Sequence, residues 1–227
     1  MHRLWELDAL RGISIIWVVI LHLLYDLQSP VLLNPVVDIL RRAVGIVFVM
    51  LSGLCVTLGK RNLRRGAVVF GCAMVITAVT ALMAHWGMLP PAIIIRFGVL
   101  HLIGIAMLLW SVCKKLPTWA LLAAGLILVA VGYAIADVYV QTPWLFPLGL
   151  HRRDFSSGDY FPLMPFLGWF FLGAVLGRTL YKYKQTRLPG FPLEAAPVRL
   201  FRWCGRNCLW IYLLHQPVIY LGFVLFS

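Results

Sequence analysis

The stretch WELDALRGISIIWVVILHLLYDL (residues 5–27) carries Asp8 and Arg11 near its start, and His22 and Asp26 in its apolar second half. Eleven residues of α-helix make three turns plus about 20°, so Arg11 and His22 share a face, roughly 16 Å apart. Asp26 follows His22 at i+4 on that face. A carboxylate beside a histidine can fix its tautomer and stabilise the imidazolium, as a general base requires. A histidine hydrogen-bonded into a helix bundle for packing is the plainer alternative. Arg11 likewise has two readings. One is a snorkelling anchor paired with Asp8 at i,i+3. The other is a holder of phosphate, which a guanidinium grips with two hydrogen bonds. Gly12 lets another backbone or a ligand come close. A line of polar groups on an apolar helix costs free energy and reads as a site.

The polar residues in apolar surroundings fall at two levels, Arg11 with the basic loops at one and His22, Asp26, Arg96, His101 and Asp159 at the other, with His215 between. His101 follows Arg96 in RFGVLHLIGIAML, and Asp159 precedes a proline-rich helix start. His215 and Gln216 lie in YLLHQP, where Pro217 frees a backbone carbonyl. Arg96, His101, Asp159, His215 and Gln216 are candidate substrate-binding residues, and His101 or His215 could donate to an oxyanion. Arg61 and Arg64 join Arg11 as candidate holders of an anionic cofactor. No HExxH and no histidine cluster at metal spacing occurs, so no metal is expected. GxSxG, GxxxxGK[ST] and GxGxxG motifs are absent too.

These residues need elements to hold them, and composition says which. The chain of 227 residues is 62% hydrophobic and 12% charged. A soluble domain is nearer a quarter charged. The expected fold is all-α: one polytopic membrane domain over residues 1–227, with about seven transmembrane helices. Their expected ranges are 9–27, 43–59, 66–84, 93–113, 117–136, 161–181 and 206–225. Thr77 and Thr80 are polar glue in the third, and Pro162 and Pro165 open the sixth. Charged Glu6, Asp8 and Arg11 precede the first apolar run, unlike a cleavable signal. The five cysteines sit in or beside apolar runs and read as small buried hydrophobes.

Orientation comes from the basic residues. Arg3, Arg11, Lys60, Arg61, Arg64, Arg65, Lys114, Lys115, Arg178, Lys182, Lys184, Arg187, Arg199, Arg202 and Arg206 would share one side. The other side has only Arg41, Arg42, Arg96, Arg152 and Arg153. The positive-inside rule makes the first side cytoplasmic, with the N-terminus inside and the C-terminus outside. The net charge of +12 then reflects topology and contact with anionic lipid, with no nucleic acid implied. The long segment 137–160 on the outer side is either a solvated loop or a lid over a polar ligand.

LDALRGISIIWVVILH resembles the arginine-x10-histidine signature of the membrane acyltransferase-3 proteins. IVFVMLSGLCVTL, RFGVLHLIGIAML, GDYFPLMPFLGWFFLGAVLG and GRNCLWIYLLHQPVIY resemble the related heparan-alpha-glucosaminide N-acetyltransferase family, in its small bacterial members. The blocks run in order from residue 3 to about 220. The resemblance implies transfer of an acyl group, usually acetyl, from cytoplasmic acyl-CoA to a hydroxyl or amine, commonly of a sugar, at the outer face. It implies that Arg11 lies near the CoA phosphates and that His22 is the catalytic histidine. The chain is shorter than the lysosomal enzyme of that family, and its histidine sits at the acyltransferase-3 position. A homodimer would complete an acceptor site that so short a chain leaves open, and the histidine can act as a base or carry the acyl group.

The expectation is therefore a bacterial inner-membrane acyltransferase using acetyl-CoA. His22 and Asp26 would be catalytic, Arg11, Arg61 and Arg64 would hold the donor, and a glycan or other small molecule would accept. The alternative is a small transporter or flippase for a polar or lipid-linked substrate. The alternative lacks a reason for the spacing of Arg11 and His22, and no matching pair of broken spans supports it.

Overall fold

The computed structural model describes residues 4–189, 191 and 195–226. His2 and Arg3, the latter part of the basic count, lie outside the described residues. Among those described, the chain is all-helical, with eight α-helices. They are α1 (Trp5–Asp26), α2 (Pro35–Leu58), α3 (Asn62–His85), α4 (Val99–Cys113), α5 (Thr118–Ala134), α6 (Leu163–Leu180), α7 (Ala196–Arg206) and α8 (Cys208–Phe226). By length and composition α1, α2, α3 and α6 can cross a membrane, while α4, α5 and the apolar part of α8 are shorter.

Several boundaries differ from the sequence reading for local reasons. α2 begins eight residues before the expected 43, because Asn34 Oδ1 accepts from Val36 N (2.9 Å) and Pro35 fits the first turn. Its charged first turns hid that start, and Asp38 pairs there with Arg41 (2.6 Å) and Arg42 (2.9 Å). α4 begins six residues after the expected 93, since residues 91–93 form a 3₁₀ turn and 94–98 are not helical. In α6 the backbone at Met164 is extended (φ −103°, ψ 124°), as the residue before a proline prefers, and regular helix follows from Pro165. α7 was expected as loop. Its arginines Arg199, Arg202 and Arg206 recur at i, i+3 and i+7 and so form one stripe.

Two compact units make up the chain, residues 1–51 with 181–227 and residues 52–180. In the first, α7 runs antiparallel along the N-terminal half of α1. Gly12 faces the backbone of Phe201, and Gly205 faces the backbone of Asp8. A Cβ at either glycine would sit well inside van der Waals contact of a carbonyl oxygen. Glu6, buried, accepts from Thr186 Oγ1 and Arg187 N (both 3.0 Å), which ties the segment before α7 to the start of α1. Asn207 alone separates α7 from α8, and α8 also packs on α1.

In the second unit α3 pairs with α4, and α5 with α6, each pair antiparallel. Small residues let the helices approach: Gly104 against Phe70, Gly168 against Gly125, and Gly53 of α2 against Phe170. Phe170, Leu102 and Leu121 are fully buried. The segment 137–160 is not a bare loop. It holds a 3₁₀ helix (Pro143–Leu148) and isolated bridges joining Tyr139 to His151 and Tyr160 to Phe97. Phe155 stacks on Phe146 and His151, and Tyr160 meets His151 edge to face and Phe155 at a tilt. Tyr160 donates to the Phe146 carbonyl (2.6 Å), and burial pushes its hydroxyl up to about 12. It therefore stays a donor across the physiological range.

Gly205→Ala is expected to destabilise the protein by about 1–3 kcal/mol, because backbone rather than a flexible side chain must yield. Gly71→Ala on α3, where a Cβ meets nothing, is the control. Thermal melts of the two variants in detergent should separate them, and equal midpoints would contradict the backbone contact.

Candidate active site

The first unit brings four of the anticipated residues together. His22 on α1 and His215 on α8 meet with ring centroids 4.8 Å apart, edge to face at 70°. Asp26 lies in the field of His22, and its side chain is within hydrogen-bonding reach of Gln216. α1 and α8 supply all of it, with His22 and Asp26 one turn apart on α1 and His215 and Gln216 adjacent on α8.

The protons on this pair follow from backbone geometry. His22 Nδ1 lies 2.8 Å from the Val18 carbonyl, and His215 Nδ1 lies 2.7 Å from the Tyr212 carbonyl. A carbonyl can only accept, so each Nδ1 carries a proton and each Nε2 keeps a lone pair in the neutral ring. This alters the sequence reading of Asp26. The bond that fixes the tautomer of His22 comes from Val18, one turn back, because helical side chains lean toward the N-terminus. Asp26, one turn forward, is left to act through charge and through Gln216. His215 is buried, and its Nε2 has no hydrogen-bond partner among the described residues. A buried imidazole nitrogen without a partner costs about 1–3 kcal/mol, which is tolerated where a ligand or substrate fills the gap.

Arg11 lies on the same helix toward its N-terminal end. Asp8 pairs with Arg206 of α7 (3.3 Å), not with Arg11 as the i,i+3 spacing suggested. Arg11 Nε is buried and lacks a hydrogen-bond partner among the described residues. The anchor reading loses its partner, and the anion-holding reading gains an unspent donor.

Arg61, Arg64, Arg96, His101 and Asp159 belong to the second unit. Arg61 and Arg64 are exposed at the start of α3. His101 is almost fully buried, stacked on Phe97 with centroids 5.5 Å apart. Gly98 N donates to its Nδ1 (3.1 Å), so the proton is on Nε2, which donates to Thr77 Oγ1 (3.1 Å). Thr77 in turn donates to the Ile95 carbonyl (2.6 Å). Asp159 Oδ2 accepts from Val99 N (2.9 Å), capping α4. Arg96 holds the same loop through Ser157 Oγ and the Ser156 carbonyl. His101 thus ties the start of α4 to α3, while Arg96 and Asp159 hold it against the 156–160 segment. Sequence spacing gave no sign of this, since the partners lie about sixty residues apart. Among the described residues no group of three His, Cys, Asp or Glu is placed to hold a metal.

His101→Leu would strand the Gly98 N–H and the Thr77 oxygen. A loss of about 1–3 kcal/mol is expected, read as a lower thermal midpoint. Any loss of activity should track the loss of folded protein. A variant of unchanged midpoint and lost activity would instead place His101 in the chemistry.

No curated protein and no solved structure matches the chain. The family model for the heparan-alpha-glucosaminide N-acetyltransferase catalytic domain matches residues 3–217. That range takes in both His22 and His215. The chain belongs to the heparan-alpha-glucosaminide N-acetyltransferase family.

Proposed function

We propose that this protein is a membrane acetyltransferase that passes an acetyl group from cytoplasmic acetyl-CoA to a hydroxyl or amine, of a sugar-type acceptor, at the outer face. The observation that carries the reading is the His22–His215 pair, with both Nδ1 protons held by backbone carbonyls and both Nε2 lone pairs left for chemistry. Family membership supports acetyl transfer as the reaction class.

Acetyl-CoA would supply the activated acetyl group. The acceptor oxygen or nitrogen would attack the thioester carbonyl as His22 Nε2 takes its proton; the C–S bond breaks, and the imidazolium returns the proton to the departing CoA thiolate. Asp26 stabilises the imidazolium that results, through its charge. His215, protonated in its turn or through a bound water, can donate to a developing oxyanion. Gln216 adds an amide donor and acceptor for the acceptor molecule. Arg11 is the proposed holder of donor phosphate in this unit, and Arg61 and Arg64 are proposed for the same chemistry in the other. Arg96, His101 and Asp159 serve the acceptor side by fixing the start of α4 and the segment before α6.

The topology belongs to the same proposal. Seven spans (α1 to α6 and α8) put the N-terminus in the cytoplasm and the C-terminus outside, with α7 at the cytoplasmic surface. The stripe of Arg199, Arg202 and Arg206 suits that surface and its anionic lipid. A bacterial inner membrane and a homodimer fit a chain of this size and charge.

Acetyl transfer from acetyl-CoA to a panel of hexosamines, followed with purified protein in vesicles, tests the reading. His22→Ala should lower turnover by a factor of about 10²–10⁴, as loss of a general base does, with the thermal midpoint kept. Near-normal turnover in this variant would remove His22 from the mechanism. Arg11→Ala should weaken acetyl-CoA binding while leaving turnover at saturation much less changed. Failure of acetyl-CoA to bind the wild-type protein at all would favour transport over transfer.

A further inference from the structure

In the second unit the chain is non-helical well below the end of α3. α3 has 24 residues and exposes Val68, Val75 and Val79 along its length, as a membrane-crossing helix does. Thr77 lies eight residues before its last residue, His85, and so about 12 Å below that end. Thr77 Oγ1 donates to the Ile95 carbonyl (2.6 Å), and Thr80 Oγ1 accepts from Ile95 N (3.2 Å). Both backbone groups of Ile95 are thus held by α3 at that depth, in a stretch, 94–98, that is not helical. A second non-helical stretch runs beside it. Arg96 N donates to Ser157 Oγ (3.1 Å), Phe161 N to the Phe97 carbonyl (2.9 Å), and Val99 N to Asp159 Oδ2 (2.9 Å).

The helices that follow these stretches are short as a result. α4 has 15 residues, about 22 Å, against a bilayer core of about 30 Å. α6 becomes regular only at Pro165. In both cases irregular chain makes up the depth on the side of the α3 C-terminus. Irregular backbone at such depth is tolerated only where protein buries it or water reaches it. Burial does not account for these stretches, because Arg96, Ser156 and Gly158 are exposed. Lipid does not account for them either, since a guanidinium facing hydrocarbon is costly. Nor does Arg96 reach away to the membrane surface: its Nε is tethered to the neighbouring stretch, donating to the Ser156 carbonyl (3.3 Å).

We infer that residues 94–98 and 156–160 line a water-filled vestibule, which opens at the C-terminal end of α3 and admits small polar molecules to the depth of Thr77. This requires that α3 crosses a bilayer, and it holds whether or not the chain transfers acetyl groups. At the bottom, Gly98 N and Val99 N are already bound by His101 and Asp159. The start of α4 therefore closes the vestibule, and Arg96 is the exposed charge on its wall.

Thiol labelling of the full chain in lipid nanodiscs tests the vestibule. The probe is a charged methanethiosulfonate, which reacts with a thiolate and so needs water at the site. Ser156→Cys puts the thiol on the vestibule wall. Val75→Cys puts one at a similar depth on the outward face of α3, where the residue is 62% exposed and lipid covers it. Peptide mass spectrometry separates both positions from the five native cysteines. Position 156 should be modified at least tenfold faster than position 75. A ratio near one would overturn the inference. If Ser156→Cys folds poorly, hydrogen exchange on the unaltered protein gives a second reading. Amides of 94–98 and 156–160 should exchange at least tenfold faster than those of 73–80 on α3, and equal protection of the two sets would overturn the inference. Neither measurement uses acetyl-CoA, so failure of the vestibule and failure of the catalytic reading are seen separately.

Discussion

Two glycines set the geometry on which the histidine pair depends. Gly12 and Gly205 remove the side chains that would hold α1 and α7 apart, so the helices meet backbone to backbone. Backbones this close gain many dispersion contacts along the seam. With α7 fixed on α1 and only Asn207 between α7 and α8, α8 starts beside α1 and brings His215 to His22. The chemistry is thus positioned by residues that take no part in it.

The polar groups in the helices obey one accounting rule, and the exceptions are informative. Thr77, Thr80, Asp159 and His101 each satisfy a backbone group at the start of α4 or just before it. Glu6 does the same for the chain near Thr186. Arg11 Nε, Asn62 Oδ1 and His215 Nε2 are among the buried atoms that do not close their bonds among the described residues. The first and last lie in the unit of the histidine pair, and Asn62 opens α3 in the other.

Much of this was legible in the sequence. Long apolar runs gave the helical class, and the spacing of Arg11, His22 and Asp26 marked the first helix as a site. YLLHQP marked the partner histidine, but nothing in the spacing said that His215 would face His22 rather than His101. That pairing is decided by the α7 turn, and α7 was hidden because its charges and short length read as loop. The tautomer of His22 was assigned to Asp26 because side chains are what a sequence displays, whereas the acceptor is a backbone carbonyl. The start of α2 was missed for a similar reason, since an apolar window cannot see an asparagine cap. Asp159 looked like a free acid, and only the fold reveals the Val99 amide it accepts from.

The single residue between α7 and α8 has a consequence for how the chain can vary. α-Helical residues advance by about 100° each. One residue inserted at Asn207 would turn α8 through that angle and carry His215 off the face it shares with α1. A deletion there would do the same in the other sense. A change of length at this corner therefore costs the histidine pair its geometry. Among related chains, the distance in sequence from the second glycine to the second histidine should be among the quantities that do not drift.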